Sequence, residues 1–175
     1  MATNSKKFTF NDEVDPKDGE RVILPKGLAM FAVMKIAKKH ETFNGIEGVD
    51  VAVIEMMVQP EAEEHAHLSA TSETRLPLLY DWMWKYLAFF TAIGQRKHGD
   101  KGMFKPDWKK AETGSGQCIA GPRSYVSKKE REAAEKEKRD PRPMEINDIE
   151  KFLSPEEAAE YKAAQGATKI NADDV

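Results

Sequence analysis

Between residues 26 and 40 the chain carries Lys26, Lys35, Lys38, Lys39 and His40 and no acid. Between residues 95 and 110, Arg96, Lys97, Lys101, Lys105, Lys109 and Lys110 face only Asp100 and Asp107. Aromatic side chains lie in or beside these clusters: Phe31 and Phe43 with the first, Trp108 with the second, and Tyr125 two positions after Arg123. Cations neutralise phosphates, and flat aromatic faces stack bases at roughly 1–3 kcal/mol each. Together they suit a single strand of nucleic acid held with little base preference. The candidate contacts are Phe31, Lys35, Lys38, Lys39, Phe43, Arg96, Lys97, Lys105, Trp108, Lys109, Arg123 and Tyr125.

Other chemistry finds less support. His65 and His67 alternate after Glu61, Glu63 and Glu64, a spacing that could supply two metal ligands, but no third is evident. No metal and no cofactor are expected. Cys118 is the single cysteine; it excludes an internal disulfide, suits a reducing cytoplasm and reads as a small core residue. No nucleophile elbow, phosphate loop or spaced carboxylate pair occurs, so an enzyme is not expected. The net charge is −3, so any attraction for nucleic acid must be local. The opening MATNSKKFTF lacks an apolar signal core, and no stretch reaches 18 uninterrupted apolar residues. No membrane contact is expected.

The elements that must position these residues follow from pattern. Residues 1–23 read as an arm, with Lys6–Phe10 either a short edge strand or disordered. Residues 24–153 read as the folded domain. Leu24-Pro25-Lys26-Gly27 is a turn into a first strand over 28–39, whose alternation places Phe31 and Lys35 on one face. Asn44-Gly45 is a hairpin signal, and the β-branched run over 48–59 is its partner. A third strand is expected over 65–72.

Leu76 to Gly94 is the densest apolar stretch and predicts one helix, with Pro77 at its first position and Gly94 just past its end. Leu79, Met83, Tyr86, Phe90 and Ile93 form its core stripe, while Trp84 falls off it. A basic loop over 95–116 precedes a fourth strand from Gly116 towards Val126. The charged run 127–143 reads as an exposed loop or a helical excursion, and 144–153 as a fifth strand. Ser154-Pro155-Glu156-Glu157 is a capping box opening a helix to about Gln165, closed by Gly166 and followed by a flexible tail to residue 175.

The expected fold is therefore mainly β: a five-stranded barrel with a helix between strands three and four and a short C-terminal helix. This is the OB-fold arrangement. Several landmarks sharpen it: Pro25-Lys26-Gly27 before an apolar strand, the Phe43-Asn44-Gly45 hairpin, and a helix ending Phe89-Phe90-x-x-x-Gly94. Gly116-x-Cys118 and Asn147-x-Ile149-x-x-Phe152-Leu153 complete the set. Over about Leu24 to Glu157 the chain resembles a family of small bacteriophage proteins from replication and recombination modules, OB-fold single-stranded DNA-binding proteins. The resemblance implies binding and protection of single-stranded DNA in the host cell cytoplasm, with replication or recombination proteins as further partners. The length of the 127–143 run and the two histidines depart from it. The alternative is a phage protein–protein adaptor using the same barrel without nucleic acid.

Overall fold

The computed structural model describes residues 9–13 and 22–173, with side chains described to residue 165. It is mainly β, one five-stranded antiparallel sheet with a few helices. The strands are β1 (Gly27–Phe43), β2 (Ile46–Pro60), β3 (Ala70–Pro77), β4 (Ser115–Tyr125) and β5 (Met144–Leu153), in the spatial order β3-β2-β1-β4-β5. The helices are α1 (Met83–Ala92), α2 (Trp108–Ala111), α3 (Lys128–Glu137) and α4 (Pro155–Asp173). The sheet is not closed by a ladder. At its two edges β3 and β5 approach, and Ser72 Oγ donates to the Asn147 carbonyl at 2.8 Å.

The β1–β2 hairpin is long because its tip is built for a tight reversal. Asn44 and Gly45 both adopt positive φ, 47° and 79°, which the twist of a two-residue hairpin turn demands. β4 pairs only with Gly27–Ala32 of β1. The rest of the hairpin therefore extends beyond β4 as an arm.

One face of the sheet carries Phe31, Val33, Ile54, Met56, Val58, Cys118 and Phe152 into the core, and α1 covers them with Phe89 and Phe90. Phe31, Phe89 and Phe152 meet with ring centroids 5.2–6.3 Å apart. Each fully buried phenylalanine is worth roughly 1.5–3 kcal/mol. The helix sits this close because Gly116 has no side chain: a Cβ there would lie 2.4 Å from the Ala92 carbonyl oxygen. Burial and the charge of Glu61 push the Cys118 thiol up to about 12, so it packs as an inert apolar group.

Several expectations are corrected here. The helix starts at Met83 and not at Pro77, because Arg75, Leu76 and Pro77 complete the β3 ladder opposite Val53, Ala52 and Val51. A single 3-10 turn, Tyr80–Trp82, then joins strand to helix. The buried side chains shift accordingly to Phe89–Ala92, and Met83 is 37% exposed. His65 closes another 3-10 turn, Glu63–His65, outside β3. Within the connection 95–116, Asp107 caps the short α2 by accepting from Lys110 N–H.

The run 127–143 is the helical alternative. Ser127 caps α3 and Lys138 ends it in the left-handed conformation. The capping box at Ser154 forms as expected, with Glu157 N–H to Ser154 Oγ at 3.1 Å and the reciprocal bond at 3.2 Å. Yet α4 continues through Gly166 to Asp173 in place of a free tail. A glycine inside a helix costs only about 1 kcal/mol, and the flanking alanines favour continuation. Lys6–Phe8 lie outside the described residues; Thr9–Phe10 belong to a turn closed by Thr9 N–H to Asp12 Oδ2 at 2.7 Å.

Candidate nucleic-acid interface

A cleft of ≈ 740 Å³ opens where the edges of β3 and β5 face each other. Its floor includes Thr74 and Asn147, and its rim Glu55, Glu73, Arg75, Arg123 and Asp148. Phe43 from the hairpin tip, Trp82 and Lys85 from the entrance to α1, and Tyr125 from the end of β4 form its walls. The elements meet here for separable reasons. The hairpin arm brings Phe43 against Trp82, edge to face at 5.6 Å. Phe43 packs beside an outer cluster of Val49, Val51 and Val53, which also holds Ala37 and Leu79. Asn147 anchors the chain entering β1: its Oδ1 accepts from Leu24 N–H and its Nδ2 donates to the Val22 carbonyl, both at 2.8 Å.

The aromatic wall extends outward. Trp84 stacks on Trp82 with ring planes 19° apart and centroids at 6.5 Å, and it is 60% exposed. Lys85 Nζ lies 5.7 Å from the Trp82 ring centre, and burial lowers its pKa, partly offset by Asp148. The cleft's cations are otherwise paired. Arg123 meets Asp148 at 3.3 Å, and Arg75 meets Glu41 at 2.5 Å and Glu73 at 3.9 Å. With Arg75, Lys85 and Arg123 against Glu55, Glu73 and Asp148, the formal charges within the cleft cancel.

Of the residues expected to bind, Phe43, Arg123 and Tyr125 come together here. Lys35, Lys38 and Lys39 lie exposed along the arm leading to it, Lys35 and Lys39 on the cleft face and Lys38 on the other, without an ion pair among the described residues. Phe31 is corrected: at 1% exposure it offers no face to a base. Its expected partnership with Lys35 fails because β1 bulges at Met34. Val33 pairs with the buried Met56, but Lys35 pairs with the exposed Glu55, so the two sides of the bulge present opposite faces.

The second basic cluster lies outside the cleft lining. Trp108 packs edge to face on Phe90 at 5.0 Å and on Tyr86 at 6.1 Å, as a half-buried extension of the core. Arg96 donates to Thr91 Oγ1 at 2.9 Å and to the Asp100 carbonyl, and its guanidinium lies 5.9 Å from the Phe104 ring centre. It fastens the connecting loop to α1. Lys97, Lys105 and Lys109 are exposed on that connection, away from the cleft lining.

Trp82, Lys85 and Arg75 are cleft residues that the sequence pattern did not single out. Trp84, off the expected stripe, was the available signal. Among the described residues no group of three or more histidine, cysteine, aspartate or glutamate side chains is placed to hold a metal. The sequence matches no family model and no curated protein.

Proposed function

We propose that this chain is an OB-fold protein that binds and protects single-stranded DNA, of the kind found in phage replication and recombination modules, acting in the host cytoplasm without a cofactor. The strand order β3-β2-β1-β4-β5 supports the fold assignment, because joining its outer strands at the Ser72–Asn147 contact would complete a five-stranded barrel with α1 between strands three and four. The observation that carries the functional reading is the aromatic wall at that seam: Phe43, Trp82, exposed Trp84 and Tyr125 around one cleft, with Lys35, Lys38 and Lys39 along the adjoining arm. Bases stack on the wall, and phosphates follow the arm.

Because Arg75 and Arg123 are paired, the arm lysines, with Lys85, supply most of the phosphate contacts. About three contacts give a salt slope near −2 on logarithmic axes. Titration of labelled oligo-dT, with duplex competitor, should show binding that weakens roughly sixteenfold for a fourfold rise in salt and resists the duplex. Binding that duplex abolishes at equal concentration, or no binding at low salt, would refute the reading.

An adaptor role is the competing reading. A second groove of ≈ 630 Å³ on the neighbouring face of α1 favours it, lined by Leu78, Tyr80, Met83, Tyr86, Met103 and Phe104.

A further inference from the structure

We propose that the second groove beside α1 docks a partner protein through a short segment that carries large apolar side chains next to acidic ones. The proposal does not rest on the single-strand reading, because the groove and the cleft use different side chains of one stretch. Trp82 and Lys85 line the cleft, whereas Tyr80, Met83, Tyr86 and Leu87 line the groove.

The groove is preformed. Its outer wall is the connection after α1, and that connection is braced twice. Gln95 exchanges two hydrogen bonds with the Asp107 backbone, at 2.8 and 2.9 Å. Arg96 ties it to α1 through Thr91 Oγ1 and lies over the Phe104 ring. A pocket that is already shaped spares its ligand much of the ordering cost.

The lining suits side chains better than bases. Tyr86 and Phe104 meet edge to face at 6.4 Å. Beside them the accessible surface is aliphatic or thioether, from Leu78, Met83 and Met103, together with the exposed Tyr80 ring. Flexible methionines adapt to a leucine or a phenylalanine alike. Large apolar groups gathered in the open mark an interaction surface.

Charge selects the partner. Arg96 and Lys101 line the groove against Asp100 alone, and the Asp100 carboxylate accepts from Gly102 N–H at 2.9 Å. Lys97 and Lys105 follow the lining residues Arg96 and Phe104 in the chain, and both are exposed. Lys97, Lys101 and Lys105 have no ion pair among the described residues. Asp81 adjoins Tyr80 in the chain but does not line the groove. Free cations around an apolar groove complement carboxylates that flank apolar anchors. A second copy docked by the same face would set its own lysines against these, which disfavours an isologous dimer.

The test is fluorescence anisotropy with a labelled synthetic peptide, Asp-Glu-Asp-Leu-Phe-Glu-Asp. Two controls replace its acids by the corresponding amides, or its Leu-Phe pair by serines. The parent should bind the acidic peptide saturably and at least about tenfold more tightly than either control. Tyr80→Ser combined with Met103→Ser changes only exposed side chains, so it should keep the parent's melting temperature and weaken peptide binding about tenfold or more. Lys101→Glu should weaken it about fivefold in low salt, a loss that high salt removes. The serine double variant should bind oligo-dT like the parent. No saturable binding at about 1 mM peptide, equal affinity for the acidic and amide peptides, or full affinity in the double variant overturns the proposal. Loss of oligo-dT binding in that variant would make the groove part of a nucleic-acid surface, and a parent dimer that the variant dissociates would give the groove to a second copy. Either result overturns the proposal as well. Failure of the parent to bind oligo-dT overturns only the single-strand reading.

Discussion

At the scale of single residues, Thr74 is buried at 2% exposure and its Oγ1 has no hydrogen-bond partner among the described residues, which has a consequence for stability. Burying a hydroxyl without a partner costs about 1–3 kcal/mol, and valine has the same shape without that group. Thr74→Val should therefore stabilise the unliganded chain by about 1 kcal/mol, raising its melting temperature by roughly 2–4 °C. A melting temperature below the parent's would show that the hydroxyl is already bonded in solution. Single residues also explain where the pattern of the chain misleads. A bulge at Met34 turns Lys35 away from the face of Phe31, and no periodicity displays an inserted residue before the pairing partners are known. Trp108 has polar neighbours in sequence and aromatic ones in space. Its flanking Asp107 faces the α2 cap, and its ring faces Phe90.

At the scale of elements, four strands were legible because alternation, the Asn44-Gly45 turn and the β-branched run mark them locally, whereas the third, expected over 65–72, runs over Ala70–Pro77. The helix start was not legible. Pro77 suits a first helical position, but the ladder opposite Val51 claims it, and pairing between distant segments outweighs local preference.

The excursion 127–143 is the element most exposed to pH. Arg139 Nη1 donates to Glu130 Oε1 at 2.6 Å, and Arg142 N–H donates to the same oxygen at 3.0 Å. The Arg139 hydrogen bond, with that from Arg142, holds the Glu130 carboxyl below its ordinary 4.5. A lowered folded value means the contribution is complete above the unfolded value and is lost as pH falls through the folded one. Amide exchange should therefore show α3 and its return to β5 loosening between neutral pH and a pH below the ordinary carboxylate range, before the sheet opens. Glu130→Gln should loosen them already at neutral pH. Protection of α3 that is equal at both pH values would contradict this.

At the scale of the whole molecule, the proposed barrel and the proposed binding cleft turn on the same feature, the meeting of β3 and β5. These strands are far apart in sequence, and nothing local announces their approach. The cleft collects Phe43, Arg75, Trp82, Lys85, Arg123 and Tyr125 from four separate stretches, so the sequence could supply individual candidates but not their grouping. A formal charge of −3 argues against long-range capture of nucleic acid. On the proposed reading, affinity comes from stacking at the seam, aided by the arm lysines.

The most direct test measures fluorescence anisotropy of labelled oligo-dT with the parent, Trp84→Ala and Trp108→Phe. Trp84 is an exposed stacking surface beside the cleft, and Trp108 is a core-packed ring away from it. Loss of one stacking face costs roughly 1–3 kcal/mol. Trp84→Ala should weaken binding about tenfold or more and leave the fold intact, and Trp108→Phe should bind like the parent. Parent-like affinity in Trp84→Ala together with loss of affinity in a folded Trp108→Phe would contradict the account and move the interface to the connection between α1 and β4.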